Sequence, residues 1–134
     1  MIQRFNPPDV HEPSGYSHVT ISSAGRLAHL AGQCPLDLAG TVVGAEGDYA
    51  AQTDQVVTNC LAVLDAAGAA PSDVVRSIVY VVSPDSTVLS AVWDQLMASP
   101  LAPAFTTAST LLGVASLGYR GQLIEIDLTA ALPD

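Results

Sequence analysis

Hydrophobic residues recur along this chain with two periods, and each predicts a different kind of element. From Ile124 the sequence IEIDL alternates strictly: Ile124, Ile126 and Leu128 fall on one side, Glu125 and Asp127 on the other, as in a strand with one apolar and one polar face. Between Asp48 and Gly68 the period changes. Thr53, Val56, Val57, Cys60, Leu61, Leu64 and Ala67 recur at helical spacing and form one core-facing stripe. Asp48 is the expected N-cap of that helix and Gly68 its C-terminal stop. VVRSIVYVV, Val74 to Val82, is apolar on both sides, with Val75, Val79 and Val81 on one and Val74, Ile78, Tyr80 and Val82 on the other. It predicts a strand covered on both faces.

The remaining segments fill in around these three. Ser83-Pro84-Asp85 opens a second helix, with the serine as cap and the proline where its missing N–H does no harm. Val88, Leu89, Val92, Trp93 and Leu96 form its buried stripe, and Pro100 and Pro103 end it. Thr106 to Leu112 is a strand with interleaved hydroxyls, expected to lie beside the last strand so that the pair lines a pocket. Near the start, residues 1 to 15 read as an irregular arm. Val19 to Ser22 and Arg26 to Ala31, joined at Ala24-Gly25, read as a β-hairpin. It runs into AGQCPLD, where Gly32 and Pro35 stop the strand and leave backbone amides free. The order is β-β-α-β-α-β-β in one domain spanning residues 1–134. Two helices cover only one face of such a sheet, so the second face of Val74 to Val82 needs another cover. A second copy of the same chain is the simplest, which predicts a closed homo-oligomer with pockets between subunits.

Charge narrows the partners. Thirteen acids stand against four arginines and no lysine, for a formal net charge of -9. A phosphate backbone or an anionic membrane surface finds no electrostatic footprint here, so neither nucleic acid nor membrane is an expected partner. The segment MIQRFNPPDV lacks the apolar centre of a signal peptide, and no run approaches the ~20 apolar residues of a membrane span. The expected location is therefore cytoplasmic. Cys34 and Cys60 read as reduced thiols, Cys34 at the proposed ligand loop as either a reactive thiol or, the commoner outcome, a small buried residue, and Cys60 on the helix stripe. His11, His18 and His29 show no ligand spacing, so no metal is expected. His29, Trp93 and Tyr80 read as core positions. Ser109 has no histidine or lysine in an activating motif, which points to hydrogen bonding rather than covalent chemistry.

Several segments in order carry a resemblance: GYS at Gly15 to Ser17, AGQCPLD at Ala31 to Asp37, AAQTDQVVTNCLAVLDAAGA at Ala50 to Ala69, SDVVRSIVYV at Ser72 to Val81, VASL at Val114 to Leu117, and LIEIDLTA at Leu123 to Ala130. Together they resemble the RidA/YjgF family, also labelled endoribonuclease L-PSP. The resemblance implies a chorismate-mutase-like α+β fold, with a mixed β-sheet and two helices on one face. It also implies a homotrimer whose sheets form a central barrel, with small-molecule clefts between subunits. Family enzymes hydrolyse imines and enamines, such as 2-aminoacrylate and 2-iminobutanoate, without metal or cofactor. The family's pocket tyrosine falls on Tyr16, its loop glycine on Gly32 and its water-associated glutamate on Glu125. Its carboxylate-binding arginine falls on Ser109 when VASL is aligned and on Phe105 when Pro103-Ala104 is aligned. Neither is a cation, whereas a carboxylate is best held by a planar guanidinium. Arg120 is the only arginine nearby in sequence, either reaching back into the cleft or standing solvated in its turn. The expected function is hydrolysis of a small imine, enamine or related C–N compound, with Glu125 moving the proton and Tyr16, Gly32, Ser109 and Arg120 contacting the ligand. The competing reading is a small-molecule-binding trimer without turnover. RNA cleavage fits an acidic chain poorly.

Overall fold

A computed structural model describes residues 1–23 and 25–134. Along the chain run β1 (Ile2–Phe5), β2 (Val19–Ser22), β3 (Leu27–His29), α1 (Tyr49–Ala67), β4 (Val74–Val82), α2 (Ser86–Met97), β5 (Ala108–Val114) and β6 (Ile124–Ala131). The fold is α+β. Its main sheet has the order β3-β6-β4-β5, with β4 and β5 parallel and the other pairs antiparallel. A separate antiparallel pair, β1 with β2, packs beside it.

The alternation of β6 decides the layering. Ile124, Ile126 and Leu128 are buried, as are Val79 and Val81 of β4. They meet Val56, Cys60 and Leu64 of α1 and Val92 and Leu96 of α2 in one apolar cluster. Both helices therefore lie on one face of the sheet. Asp48 caps α1 by accepting from the Ala51 N–H at 2.9 Å, and Gly68 closes it in the left-handed region at φ 81°. On the opposite face, Ile78, Tyr80 and Val82 stand beside Thr110, Leu112 and Val114, none of them fully buried. That face is the apolar surface for which a cover was expected.

Several sequence expectations give way to longer-range pairing. β2 and β3 do not form a hairpin: β2 pairs with β1, inside the arm expected to be irregular, and β3 pairs with β6. Alternation identifies a strand but not its partner. Ala24, in the expected hairpin turn, lies outside the described residues. β5 and β6 are not neighbours, because β4 lies between them. An irregularity in the pairing of β4 with β6 between Val74 and Arg76 reverses the parity there, so Val74 joins the core and Val75 does not. The cap of α2 is Asp85, which accepts from the Thr87 N–H at 2.9 Å, while Ser83 Oγ accepts from the Asp85 N–H at 3.0 Å. His29, expected inside, is exposed because it points away from the helices at the sheet edge.

Candidate functional site

Glu125 projects from β6 onto the face away from the helices, where it meets the Gly32 loop. Gln33 and Ile126 exchange both backbone hydrogen bonds, at 2.7 and 3.1 Å, so the loop continues alongside β6 beyond β3. Asn59 on α1 holds the far side of the loop by donating to the carbonyls of Cys34 and Leu36, each at 2.9 Å. Gly32 is thereby set directly against the acid. A Cβ at this position would lie 2.6 Å from Glu125 Oε2 and 2.9 Å from its Cδ, so the glycine is what lets the carboxylate sit this close to the loop; a larger residue would displace it. The loop glycine and the acid of β6, far apart in sequence, form one unit.

Two further side chains orient the acid through the same oxygen. The Cys34 thiol donates to Glu125 Oε1 at 3.1 Å, and Gln122 Nε2 donates to it at 3.2 Å. Gln122 is buried, donates also to the Ile124 carbonyl at 3.0 Å and accepts from the Tyr119 N–H at 3.1 Å. Glu125 Oε2 receives neither donor and lies against Gly32, on a residue that is partly exposed. The turn before β6 is fixed from behind by Gln52 of α1. Its side chain donates to the Gly121 carbonyl at 2.8 Å and accepts from the Leu123 N–H at 2.7 Å. Gln122 escapes a sequence reading because it lies three residues before Glu125, a spacing that neither strand alternation nor a known motif marks.

Burial, then the hydrogen bond to Glu125 and its charge, push the Cys34 thiol from 9.0 up to about 11, with Gln122 acting in the opposite direction. Cys34 is half-buried rather than enclosed, whereas burial alone pushes Cys60 up to about 12. The raised value favours the neutral thiol of the folded state, so this stabilisation is complete below pH 9.0 and fades as the pH rises toward 11. Because the thiolate is the nucleophile, iodoacetamide at about pH 8 should label Cys34 on the order of a hundredfold more slowly in the native protein than in urea. Equal rates by mass spectrometry would contradict the thiol–carboxylate contact.

Tyr16 and Ser109 lie elsewhere, on a cleft of about 390 Å³ that opens on the helix side of β5. Trp93, Asp94 and Ser90 of α2 form one wall, and Ser14 and Leu111 complete it. The Tyr16 hydroxyl shares a 2.7 Å hydrogen bond with His11 Nε2, which ties the arm to the cleft mouth. Ser109 Oγ accepts from Ser77 Oγ at 2.6 Å and lies within reach of the Phe105 and Thr107 carbonyls, at 3.1 and 3.0 Å. Its proton is thus engaged, leaving a lone pair for a ligand. Phe105, the other position considered for the missing arginine, is fully buried and packs edge-on against Trp93 with ring centroids 5.7 Å apart. Of the two positions, Ser109 is the one that lines the cleft. Trp93 serves both core and cleft, a double role that helical spacing does not reveal.

Arg120 joins neither group. It is exposed in a crevice of its own, with Glu46 and Gln52 on the walls. Within one chain, then, the sequence-predicted residues fall into two separate groups, Gly32 with Glu125 and Tyr16 with Ser109, on different faces of the sheet. Among the described residues, no helix is long and apolar enough to cross a membrane.

Comparison with known proteins agrees with this architecture. Residues 9–132 match the family described as endoribonuclease L-PSP. A Rid-family protein of unknown function from Yersinia pestis, YyfB, is 38% identical, with a TM-score of 0.86 over 98% of both chains. Protein DfrA of Myxococcus xanthus is 34% identical over 86% of this chain and 83% of its own. A RutC family protein of Synechocystis is also 34% identical, over 90% of this chain and 89% of its own. The chain belongs to the endoribonuclease L-PSP family, that is, the RidA/YjgF family.

Proposed function

We propose that three copies of the chain close around their exposed sheet faces, and that each resulting cleft joins the Gly32–Glu125 half of one subunit to the Tyr16–Ser109 half of the next. There the protein hydrolyses a small imine, enamine or related C–N compound. Water adds to the C=N carbon, Glu125 accepts its proton and returns it to the nitrogen, and the C–N bond breaks with loss of ammonia. The supporting observation is the posture of Glu125: two donors hold Oε1, and Oε2, which takes neither donor, is seated against the Gly32 backbone. Such fixing of a proton carrier before substrate arrives is what general acid–base catalysis requires. Without a guanidinium at position 109, amino-acid-derived imines should be poor substrates. Family membership supports small-molecule processing, and the acidic surface disfavours RNA.

Subunit complementation tests the shared cleft. Glu125→Gln removes one half-site and Ser109→Trp blocks the other, so each variant alone should be inactive in a screen of imines generated in situ. Unfolded together at equal amounts and refolded, the two should regain about a quarter of wild-type turnover, since a site drawing its halves from two subunits finds both intact in that share of random pairings. No recovery from well-formed mixed oligomers would reject the shared cleft. A wild-type protein that binds screened compounds but turns over none would favour the binding role instead.

A further inference from the structure

Resting on the hydrolytic reading above, we infer that the cleft between α2 and β5 selects an organic cation, and that the compound processed is an iminium ion derived from an amine rather than from an amino acid. The cleft has the parts of a cation site: two aromatic side chains, Tyr16 and Trp93, one carboxylate, Asp94, and hydroxyls. Ring faces and a carboxylate both attract positive charge, and hydroxyls orient an N–H donor.

Among the described residues, no arginine lines it. Arg4 donates to the Ser72 and Val74 carbonyls, each at 2.8 Å, and Arg76 donates to Thr110 Oγ1 at 2.7 Å on the other sheet face. Arg120 stands in the Glu46 crevice, and Arg26 lies near Asp73 and the C-terminal residues. An imino acid would bring its carboxylate beside Asp94 with no arginine of the same chain lining the cleft, the basic side chain beside it being His11 on the Tyr16 hydroxyl. A net charge of -9 adds a field that concentrates cations and repels anions.

The chemistry follows the same preference. A protonated imine is both the cation and the better electrophile. In the balanced step one iminium ion and one water give one aldehyde or ketone and one ammonium ion. The water oxygen forms the new bonds to carbon, the C–N bond breaks with its electron pair leaving on nitrogen, and both water protons end on the departing ammonium, which carries the positive charge away. Within the proposed cleft, Asp94 stays near the nitrogen side while Glu125 handles the proton of water.

Calorimetry at low ionic strength with 2-phenylethylamine, 2-phenylethanol and phenylacetate separates the charge classes at nearly constant shape. The amine should bind at least about tenfold more tightly than the alcohol, and phenylacetate most weakly. Asp94→Asn should reduce the amine's advantage over the alcohol to about threefold or less, whereas Asp65→Asn, an equal charge change on the exposed side of α1, should leave it intact. Phenylacetate binding as tightly as the amine, an amine preference untouched by Asp94→Asn, equal losses in both variants, or no binding of any of the three would overturn the inference. Because this is an equilibrium measurement, a cation preference without turnover of any imine would sink hydrolysis and the iminium substrate but leave the cation-selective cleft, and turnover without a cation preference would sink this inference alone.

Discussion

Replacing Glu125 by glutamine should lower turnover of a competent C–N substrate by about two to four orders of magnitude, the usual cost of losing a positioned proton carrier. The substitution keeps the shape of the side chain. Its amide oxygen can still accept from the Cys34 thiol and from Gln122 Nε2, so the loop and the turn before β6 should hold their places. What disappears is the capacity to take a proton from attacking water. The expected signature is a fall in kcat with little change in ligand affinity or melting temperature. Activity within a few-fold of wild type would remove Glu125 from the mechanism and leave its careful orientation as a purely structural arrangement.

The second large effect should come from a residue far from any reacting atom. Leu112 lies on the face of β5 turned away from the helices, paired with Tyr80 of β4. In the proposed trimer this surface meets a neighbouring copy, and a carboxylate there would have to lose its water without gaining a partner. Leu112→Asp should therefore convert the assembly to monomers of the 13.8-kDa chain in sedimentation velocity, with turnover falling to background. Far-ultraviolet circular dichroism should be retained, because the apolar cluster of Val56, Leu96 and Ile126 lies on the other side of the sheet. An active Leu112→Asp monomer would refute the idea that each cleft takes halves from two chains. An active trimer would show that this surface is not where the copies meet.

Elements with a local signature were legible from the residues. Strand β4 was bounded correctly at Val74–Val82, and the helix between Asp48 and Gly68 was set by its capping residues, which act on groups only a few positions away. The polar face of β6 was legible for the same reason. Pairing was not, because β2 finds its partner at Ile2–Phe5 and β3 finds its partner at the end of the chain. Nothing in Val19 to Ser22 or Leu27 to His29 names those partners. The reversal at Val74 likewise depends on how β4 meets β6. At the candidate site, family resemblance supplied Tyr16, Gly32, Ser109 and Glu125, but not their division between two faces. The contacts of Cys34 and Gln122 with the acid, and the places of Asp94 and Trp93 on the cleft, depend on tertiary neighbours, and although helical spacing marks Trp93 as a core position it does not show the cleft.

The clamp that Gln52 places on the Gly121 carbonyl and the Leu123 N–H separates two mechanical roles within a few residues. The residues after the clamp are tied to helix α1, while the turn before it is coupled to the acid by another route: the Tyr119 N–H donates to Gln122, which donates to Glu125. An insertion at Tyr119–Arg120 would therefore pull on Gln122 and, through it, on the acid, so a reporter or affinity tag belongs elsewhere on the surface.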